Sequence, residues 1–309
     1  MDQDKLAVID LGSNTFHLLI VQKKSSYPGF STVLRKREYV YLAHGGVSRI
    51  DDAAFKRGII CLDKFSILLT KYHVNKIFCF GTAALRNAEN SKDFIGQVKH
   101  LYDLEIELID GIREAELIYK GVGLSNLPQN ENILTVDIGG GSVEFVLSSN
   151  GKMRQSWSLD VGISVLRAKF PLNRADLLTR RKWVIEYLRL KSWDILKQVN
   201  ILNPSILAGA SGSFEILESM NGLKSTPKGN IITSHSALKL LDTISKTSFD
   251  NRAQMKGMPL NRADLSFESA CLMTFVLQSV PSIQKIKISP YSLKEGVIRV
   301  ERRRYTRIF

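Results

Sequence analysis

Residues 136–145 read VDIGGGSVEF: an apolar run ends on Asp137, and three glycines and a serine follow before Glu144. Glycine weakens a strand and costs folding entropy, so three in succession indicate that something approaches this backbone closely. Glycine N–H groups can converge on phosphate oxygens, and a neighbouring aspartate can hold a hydrated cation. The stretch therefore predicts a phosphate-binding turn between two strands. For a single loop, a glycine-rich hairpin without a ligand is the alternative.

The same design occurs earlier in the chain. Residues 6–21, LAVIDLGSNTFHLLIV, align without gaps on residues 133–148, ILTVDIGGGSVEFVLS. The matched pairs are Asp10 with Asp137, Gly12 with Gly139, and Thr15 with Ser142. Two half-domains of related design would place two anion-sized loops facing one another across a cleft. The repeat favours ligand binding over two unrelated hairpins.

Composition and charge set the class of protein. The chain has 309 residues, of which 44% are hydrophobic and 24% charged, which is ordinary for a globular protein long enough for two domains. No run approaches the ~18 apolar residues of a membrane helix, and no leader pattern is seen, so we expect a cytoplasmic protein without a membrane partner. The formal charge of +13 would attract polyanions. Nucleic acid is not expected as a partner, because no aromatic interleaving or recognition motif accompanies the charge.

Strand-like and helix-like patterns alternate along the first third of the chain, which indicates an α/β fold. Residues 125–132, SNLPQNEN, are polar, contain a proline and show no periodicity. They are therefore the predicted domain junction. We expect two domains, residues 1–126 and 127–309, of which the second is the more helical.

Seven motifs follow one another in the order AVIDLGSNTFHLLI, GTAALRNAEN, DGIREAELIYKGV, VDIGGGSVEFVL, SLDVGISVLRAKF, GASGSFEIL and SPYSLKEGVI. In this order the chain resembles the exopolyphosphatase and guanosine pentaphosphate phosphohydrolase (Ppx/GppA) family over essentially its whole length. The resemblance implies the short form of that family, with two actin-like (ribonuclease H-like) domains and an interdomain cleft.

The resemblance also implies an activity. Similar proteins release the terminal phosphate of inorganic polyphosphate with Mg²⁺ and an activated water. A guanosine pentaphosphate 5′-phosphohydrolase is the alternative substrate class, because both substrates offer the same terminal group. A kinase or ATPase of the same superfamily, and a polyphosphate or alarmone sensor without turnover, are alternatives of other classes. Dimers are common among similar proteins, so a homodimer is an expected state.

Binding roles are carried over from the family to matching positions. The resemblance implies that phosphate oxygens contact Gly12, Ser13, Asn14, Gly139, Gly140, Gly141 and Ser142. It implies Mg²⁺ ligands at Asp10, Asp137 and Glu144. A further loop resembles the nucleotide-contacting loop of the wider superfamily, and its residues are Gly209, Ser211, Gly212 and Ser213. A helix start capped by Ser211 or Ser213 explains that loop equally well.

The family comparison implies three catalytic residues. Glu114 would orient or deprotonate the attacking water, and Arg86 would bind the transferred phosphate and neutralise charge in the transition state. Glu144 would be a second functional carboxylate, in contact with metal or water. By residue chemistry alone, the alternatives are a glutamate favoured by the helix dipole, a surface arginine and a solvent-facing strand glutamate.

The sequence departs from the family pattern near these residues. Arg113 stands where an acidic residue usually precedes the catalytic glutamate, and Asn87, Val143 and Lys294 replace an acidic residue, a threonine and an arginine. We expect Arg113 either to pair with Glu114 and lower its basicity, or to contact phosphate. The first outcome would reduce activity and would favour the sensor.

Overall fold

The computed structural model describes residues 5–171 and 175–306, with side chains described up to Glu301. These residues form two compact units. Unit 1 contains the chain as far as Gly121 together with the segment that starts at Leu293, and unit 2 is Val122–Ser292. Each unit is built on one mixed β-sheet with helices, so the predicted α/β class is confirmed.

Unit 1 begins with a hairpin and continues with alternating helices and strands. Its elements before the crossing to unit 2 are β1 (Lys5–Leu11), β2 (Thr15–Lys23), β3 (Phe30–Tyr39), α1 (Asp52–Lys71), β4 (Lys76–Gly81), α2 (Ala83–Asn87), α3 (Ser91–Tyr102), β5 (Ile106–Leu108) and α4 (Gly111–Val122). The sheet order is β3-β2-β1-β4-β5, in which β1, β4 and β5 run parallel and the others antiparallel.

The core of unit 1 forms because β1 and β2 are apolar and α1 and α3 each present one apolar face. The carboxylate of Asp51 accepts the backbone N–H of Ala54 at 2.7 Å, which caps α1 at its start. Phe94 of α3 packs edge-on against Phe16 and Phe55, with ring centroids 6.4 and 5.1 Å away. Aromatic side chains from β2, α1 and α3 therefore meet in the core of unit 1.

Unit 2 repeats the hairpin start and then becomes largely helical. After a 3₁₀ turn at Gly123–Ser125, its elements are β6 (Asn132–Ile138), β7 (Val143–Ser149), β8 (Lys152–Leu159), α5 (Ile163–Lys169), α6 (Leu177–Leu202), β9 (Ile206–Ala210), α7 (Gly212–Met220), β10 (Asn230–Thr233), α8 (Ser234–Lys246), α9 (Phe249–Ala253), α10 (Leu260–Ala263), α11 (Ser266–Ser279) and β11 (Lys285–Ser289). The sheet order is β10-β11-β9-β6-β7-β8, with β6, β9 and β11 parallel.

Helix α11 lies at the centre of unit 2. Twelve successive residues, 266–277, are buried, and the helix packs against α5, α6, α7 and α8. A helix that is buried on all sides needs apolar or paired side chains around its whole circumference. This helix accordingly carries both a run of apolar residues and the buried Glu268.

The last helix, α12 (Leu293–Thr306), returns to unit 1 and packs on β1. It crosses α4 closely: a Cβ added at Gly296 would lie 1.8 Å from the carbonyl oxygen of Leu117, and Arg299 donates to the carbonyl of Lys120 at 3.0 Å. The structure therefore divides the chain differently from the predicted domains 1–126 and 127–309. Close packing through a glycine is a three-dimensional property that no local composition signal marks.

The three cysteines, Cys61, Cys79 and Cys271, are free and buried. Burial raises the pKa of the Cys61 and Cys271 thiols to about 12, and it also raises that of Cys79. The thiols are therefore protonated and unreactive at neutral pH. Among the described residues, no helix is long and apolar enough to cross a membrane.

Candidate active site

The first loop of the repeat connects β1 to β2 in a tight turn. The N–H of Gly12 donates to the carbonyl of Thr15 at 3.1 Å, and a Cβ on Gly12 would stand only 2.9 Å from that oxygen. The carbonyls of Ser13 and Asn14 in turn accept N–H groups of residues 40, 41 and 43 at 2.9–3.1 Å. The segment after β3 thus holds this loop in place through hydrogen bonds to the carbonyl oxygens of the loop.

The second loop, between β6 and β7, has the same turn. The N–H of Gly139 donates to the carbonyl of Ser142 at 3.0 Å, which is the equivalent bond in the repeat. The carbonyls of Gly139, Gly140 and Gly141 accept N–H groups from the start of α5, residues 162–164, at 2.8–3.1 Å. A Cβ on Gly162 would lie 2.4 Å from the carbonyl oxygen of Gly140, so this close approach requires glycine.

The hydrogen bonds between residues 162–164 and the carbonyls of the second loop, here called the clamp, leave backbone N–H donors of the loop available. Within the described residues, the N–H groups of Gly140, Gly141 and Ser142 donate to no protein acceptor. Consecutive N–H groups whose carbonyls are turned away form a concavity that suits phosphate oxygens. The second loop therefore has the geometry that the three glycines predict.

In unit 1, the catalytic candidates come from one edge of the sheet. Strands β1, β4 and β5 are parallel, so their carboxyl ends meet at the same edge, where ligands bind in open α/β sheets. Leu11 pairs with Gly81, and the hydroxyl of Thr82 donates to the carbonyl of Leu11 at 3.4 Å. The first glycine turn follows β1, and the helices that follow β4 and β5 carry Arg86 (α2) and Glu114 (α4).

Arg86 and Glu114 form an ion pair at this edge. The guanidinium NH1 of Arg86 lies 3.2 Å from Oε2 of Glu114 and 2.8 Å from the carbonyl of Ile109. Their side chains are 21% and 11% exposed. The pair is thus oriented by the protein yet reachable from solvent. Arg86 is therefore not a surface arginine, and Glu114 has a partner beyond the helix dipole.

Arg113 does not contact Glu114. Its guanidinium pairs with Glu116 at 3.2 Å, and its backbone N–H donates to the carboxylate of Asp110 at 2.7 Å. The predicted pairing with Glu114 is therefore wrong. Adjacent residues on a helix point in different directions, whereas residues three apart meet on one face.

Unit 2 brings two carboxylates together. Asp137 and Glu144 are directly opposite in the β6–β7 ladder and so project from the same face of the sheet. Glu144 is 2% exposed and accepts the Ser158 hydroxyl at 2.8 Å, while Ser292 donates to Asp137 at 3.2 Å. The alternative of a solvent-facing Glu144 is wrong, because neighbouring elements cover this part of the strand.

These two carboxylates fit a magnesium ion. Mg²⁺ is usually held by one or two carboxylates, with waters and substrate phosphates completing its octahedron. Among the described residues, no group of three or more His, Cys, Asp or Glu side chains could hold a metal ion, and Mg²⁺ at Asp137 and Glu144 stays a prediction.

Asp10 is placed differently. Its cross-strand neighbour is His17, which lies 2.9 Å from the hydroxyl of Thr15, and the ammonium of Lys294 lies 3.7 Å from its Oδ2. Burial raises the pKa of the Asp10 carboxyl above its usual value, while Lys294 acts to lower it. Since an ammonium already faces this carboxylate, its role as a metal ligand stays a prediction.

The loop after β9 is strained. Ser211 has φ +112°, a value that favours glycine, and it stands at the start of α7 without a side-chain capping bond. The hydroxyls of Ser211 and Ser213 are buried and have no hydrogen-bond partner among the described residues. Capping by Ser211 therefore does not explain the loop, and nucleotide contact stays a prediction. Cβ atoms added at positions 209 and 212 would lie 2.0 Å from the side chains of Phe214 and Arg262, which would have to move.

Sequence reasoning missed several residues that orient the candidates. Gly162 clamps the second loop, Ser158 and Ser292 bind its carboxylates, and Lys294, noted only as a departure, faces Asp10. His17, the cross-strand neighbour of Asp10, was also missed, although the repeat aligns it with Glu144 and so marks its position. For the serines no local signal existed, because they come from distant parts of the chain.

Two α/β units, each opening with an Asp-x-Gly turn between antiparallel strands, define a protein with the actin-like fold. A family model described as the Ppx/GppA phosphatase family matches residues 19–303. The chain belongs to this family.

Named relatives and solved structures agree with this assignment. The chain is 28% identical to the guanosine-5′-triphosphate,3′-diphosphate pyrophosphatase of Aeromonas salmonicida over 94% of its own length, and spans 58% of that protein. It is 25% identical to exopolyphosphatase 1 of Mycobacterium tuberculosis, with 95% and 87% of the two chains covered. The crystal structure of an exopolyphosphatase from Cytophaga hutchinsonii matches with a TM-score of 0.89 at 30% identity, over 96% and 97% of the two chains.

Proposed function

We propose that this chain is an exopolyphosphatase, which hydrolyses the terminal phosphoanhydride bond of inorganic polyphosphate. The observation that carries this proposal is the Arg86–Glu114 pair, held at 3.2 Å beside the first glycine turn. Phosphoryl transfer asks a protein mainly for positioning and charge stabilisation. A carboxylate for water and an arginine for phosphate, fixed together, supply both.

Each residue has a role in the proposed reaction. Glu114 accepts a proton from water as the water oxygen attacks the terminal phosphorus; the bridging P–O bond breaks, and orthophosphate and a chain one unit shorter are released. Arg86 balances the charge that develops on the transferred group. The N–H groups of Gly140, Gly141 and Ser142 bind phosphate oxygens in unit 2.

Asp137 and Glu144 would hold Mg²⁺, which would supply positive charge to offset the negative charge of the phosphate groups. Their shared face and oxygen donors support this choice of ion. Ser158 and Ser292 keep the two carboxylates in place. No step of the proton transfer depends on these residues, so the metal and the general base can be tested separately.

The choice of polyphosphate rests on charge and relatives. A formal charge of +13 favours a long polyanion, and the solved relative at 30% identity is named an exopolyphosphatase. Guanosine pentaphosphate is the second candidate substrate, because relatives at 28% identity are named guanosine-5′-triphosphate,3′-diphosphate pyrophosphatases. The sensor is the alternative that the Arg113 change permits; Arg113 pairs with Glu116, and binding without turnover is left for the experiment below to test.

The deciding experiment measures phosphate release from polyphosphate, guanosine pentaphosphate and ATP in parallel, with Mg²⁺ and with EDTA. We expect Mg²⁺-dependent release, fastest from polyphosphate. Polyphosphate affinity should also fall more steeply with salt than nucleotide affinity, since a longer polyanion makes more charged contacts. Faster phosphate release from guanosine pentaphosphate would make that nucleotide the substrate in place of polyphosphate. Tight binding without any phosphate release would support the sensor.

Two further expectations belong with this proposal. A cytoplasmic enzyme would meet both candidate substrates, and a homodimer is common among similar proteins. Light scattering coupled to size-exclusion chromatography measures the oligomeric state directly. A single mass near 34.7 kDa, that of one chain, would contradict the homodimer.

A further inference from the structure

A second group of charged residues lies inside unit 2, among helices that carry none of the candidate catalytic residues. Arg167 of α5, Arg180 of α6 and Arg252 of α9 surround Glu268 of α11. Arg180, Arg252 and Glu268 are completely buried. Charged side chains reach this degree of burial only when they are paired or bind a ligand.

The carboxylate of Glu268 accepts three hydrogen bonds from two arginines. Its Oε1 accepts from Arg180 and, at 2.7 Å, from Nε of Arg167, and its Oε2 accepts from Arg167 at 3.1 Å. Arg167 also pairs with Asp264 at 3.0 Å. Two arginines thus take three of the about four acceptor sites of this carboxylate, and Arg252 makes no hydrogen bond to it among the described residues.

Arg252 is bound through only one of its nitrogens. Its NH1 donates to the carbonyl of Thr247 at 2.6 Å, whereas Nε and NH2 are buried without a partner among the described residues. NH1 of Arg180 is in the same condition. Both guanidinium groups lie within 6 Å of one ring, that of Phe267, at 4.3 and 5.9 Å from its centroid.

The charges of the cluster do not balance. Three arginines face two carboxylates, those of Glu268 and the half-exposed Asp264, which leaves one positive charge in excess. Desolvation lowers the pKa of Arg252, as expected for a cation without a full partner. Because a guanidinium stays protonated at any ordinary pH, the charge has to be neutralised from outside the chain.

We propose that Arg180 and Arg252 bind a small monovalent inorganic anion beside Phe267. Their three unused nitrogens supply the donors, the excess charge supplies the attraction, and the ring forms an apolar wall. Water could satisfy the donors but would leave the buried charge in place. Chloride carries one negative charge and accepts hydrogen bonds from several donors at once, so it meets both requirements.

Thermal unfolding of the full chain tests this at constant ionic strength, with chloride exchanged for gluconate, a much bulkier organic anion. A hundredfold rise in chloride centred on its dissociation constant should lower the unfolding constant about tenfold. Arg252→Met, which removes the excess charge, should abolish this response. Arg189→Met, which breaks an exposed pair with Glu186 on α6, should keep it.

Crystals grown in bromide provide a readout that does not depend on any variant. We expect an anomalous peak in contact with Arg180 NH1 and Arg252 NH2. Water at that position, or an identical chloride response in wild type and Arg252→Met, would overturn the proposal. If Arg252→Met does not fold, the bromide experiment alone decides. Neither readout depends on hydrolase activity.

Discussion

The two glycine turns of the repeat share one backbone design. In both, the N–H of the first glycine donates to a carbonyl three residues later, at 3.1 Å for Gly12 and 3.0 Å for Gly139. In both, the carbonyls of the loop are held by N–H groups of a later segment, residues 40–43 in unit 1 and 162–164 in unit 2. Glycine content and flanking strands are therefore enough to set the turn.

The charges beside the turns differ. Next to Asp10 lie His17 and the ammonium of Lys294, whereas next to Asp137 lie Glu144 and a serine hydroxyl. A carboxylate that faces an ammonium has less attraction left for a cation, and two carboxylates on one face have more. The backbone turn is thus common to both halves, while the charged groups beside the aspartate differ, and this difference is the reason to expect metal binding in unit 2 only.

The largest effect is expected for the catalytic pair, which belongs to unit 1. Glu114→Gln should lower kcat about 10²- to 10⁴-fold, because an amide keeps the shape but cannot accept a proton from water. Phosphate release under saturating polyphosphate measures this. A loss of this size would place the general base in unit 1, the half in which Asp10 faces the ammonium of Lys294.

Glu116→Gln is the matched control for that variant. Glu116 lies on the same helix and pairs with Arg113, so its loss should leave kcat almost unchanged. Equal losses in the two variants would point to damage to α4 and would remove the catalytic role of Glu114.

The comparison of the two aspartates is tested by matched amide substitutions. Asp137→Asn should lower Mg²⁺-dependent kcat about 10²- to 10³-fold, since a bound metal contributes several kcal/mol of charge stabilisation. Asp10→Asn should change the Mg²⁺ concentration for half activity much less. Magnesium titrations of both variants measure the difference. A similar shift in both would make Asp10 a metal ligand after all and would erase the contrast between the halves.

A moderate effect is expected where the second loop is clamped. Gly162→Ala places a Cβ 2.4 Å from the carbonyl oxygen of Gly140 and should displace the loop, lowering kcat/KM about tenfold, because misplaced phosphate contacts weaken positioning.

Gly96→Ala is its control. No atom lies within 4 Å of the added methyl, so activity should be unchanged and the free energy of unfolding should rise by about 0.5–1 kcal/mol. Unaltered kinetics in Gly162→Ala would mean that the clamp is not needed for substrate binding.

The smallest effect is expected for Arg113→Ala. Its partner is Glu116, and both side chains are about one-third exposed, so the free energy of unfolding should fall by at most about 0.5 kcal/mol. Steady-state kinetics should show kcat within about a factor of two of wild type. A rate increase of tenfold would instead show that Arg113 restrains Glu114 from a distance.

Much of the fold could be predicted from the chain alone. Alternating apolar residues and glycine positions specified the two hairpins and both turns, because strand period and turn chemistry are local properties. The repeat also paired Asp10 with Asp137 correctly, and both occupy equivalent ladder positions. The family motifs then indicated the candidates Arg86 and Glu114. Their 3.2 Å contact could not be predicted from their spacing in the sequence.

What the sequence by itself determined is therefore the set of chemical groups and the turns that carry them. Only the tertiary structure decided their partners: Lys294 for Asp10, Glu116 for Arg113 and Arg86 for Glu114. The closing helix α12 joined unit 1 for the same reason, since Gly296 lets it approach α4. Local propensity acts over a few residues, whereas charge pairing and close packing depend on which distant segments the folded sheet brings to the same place.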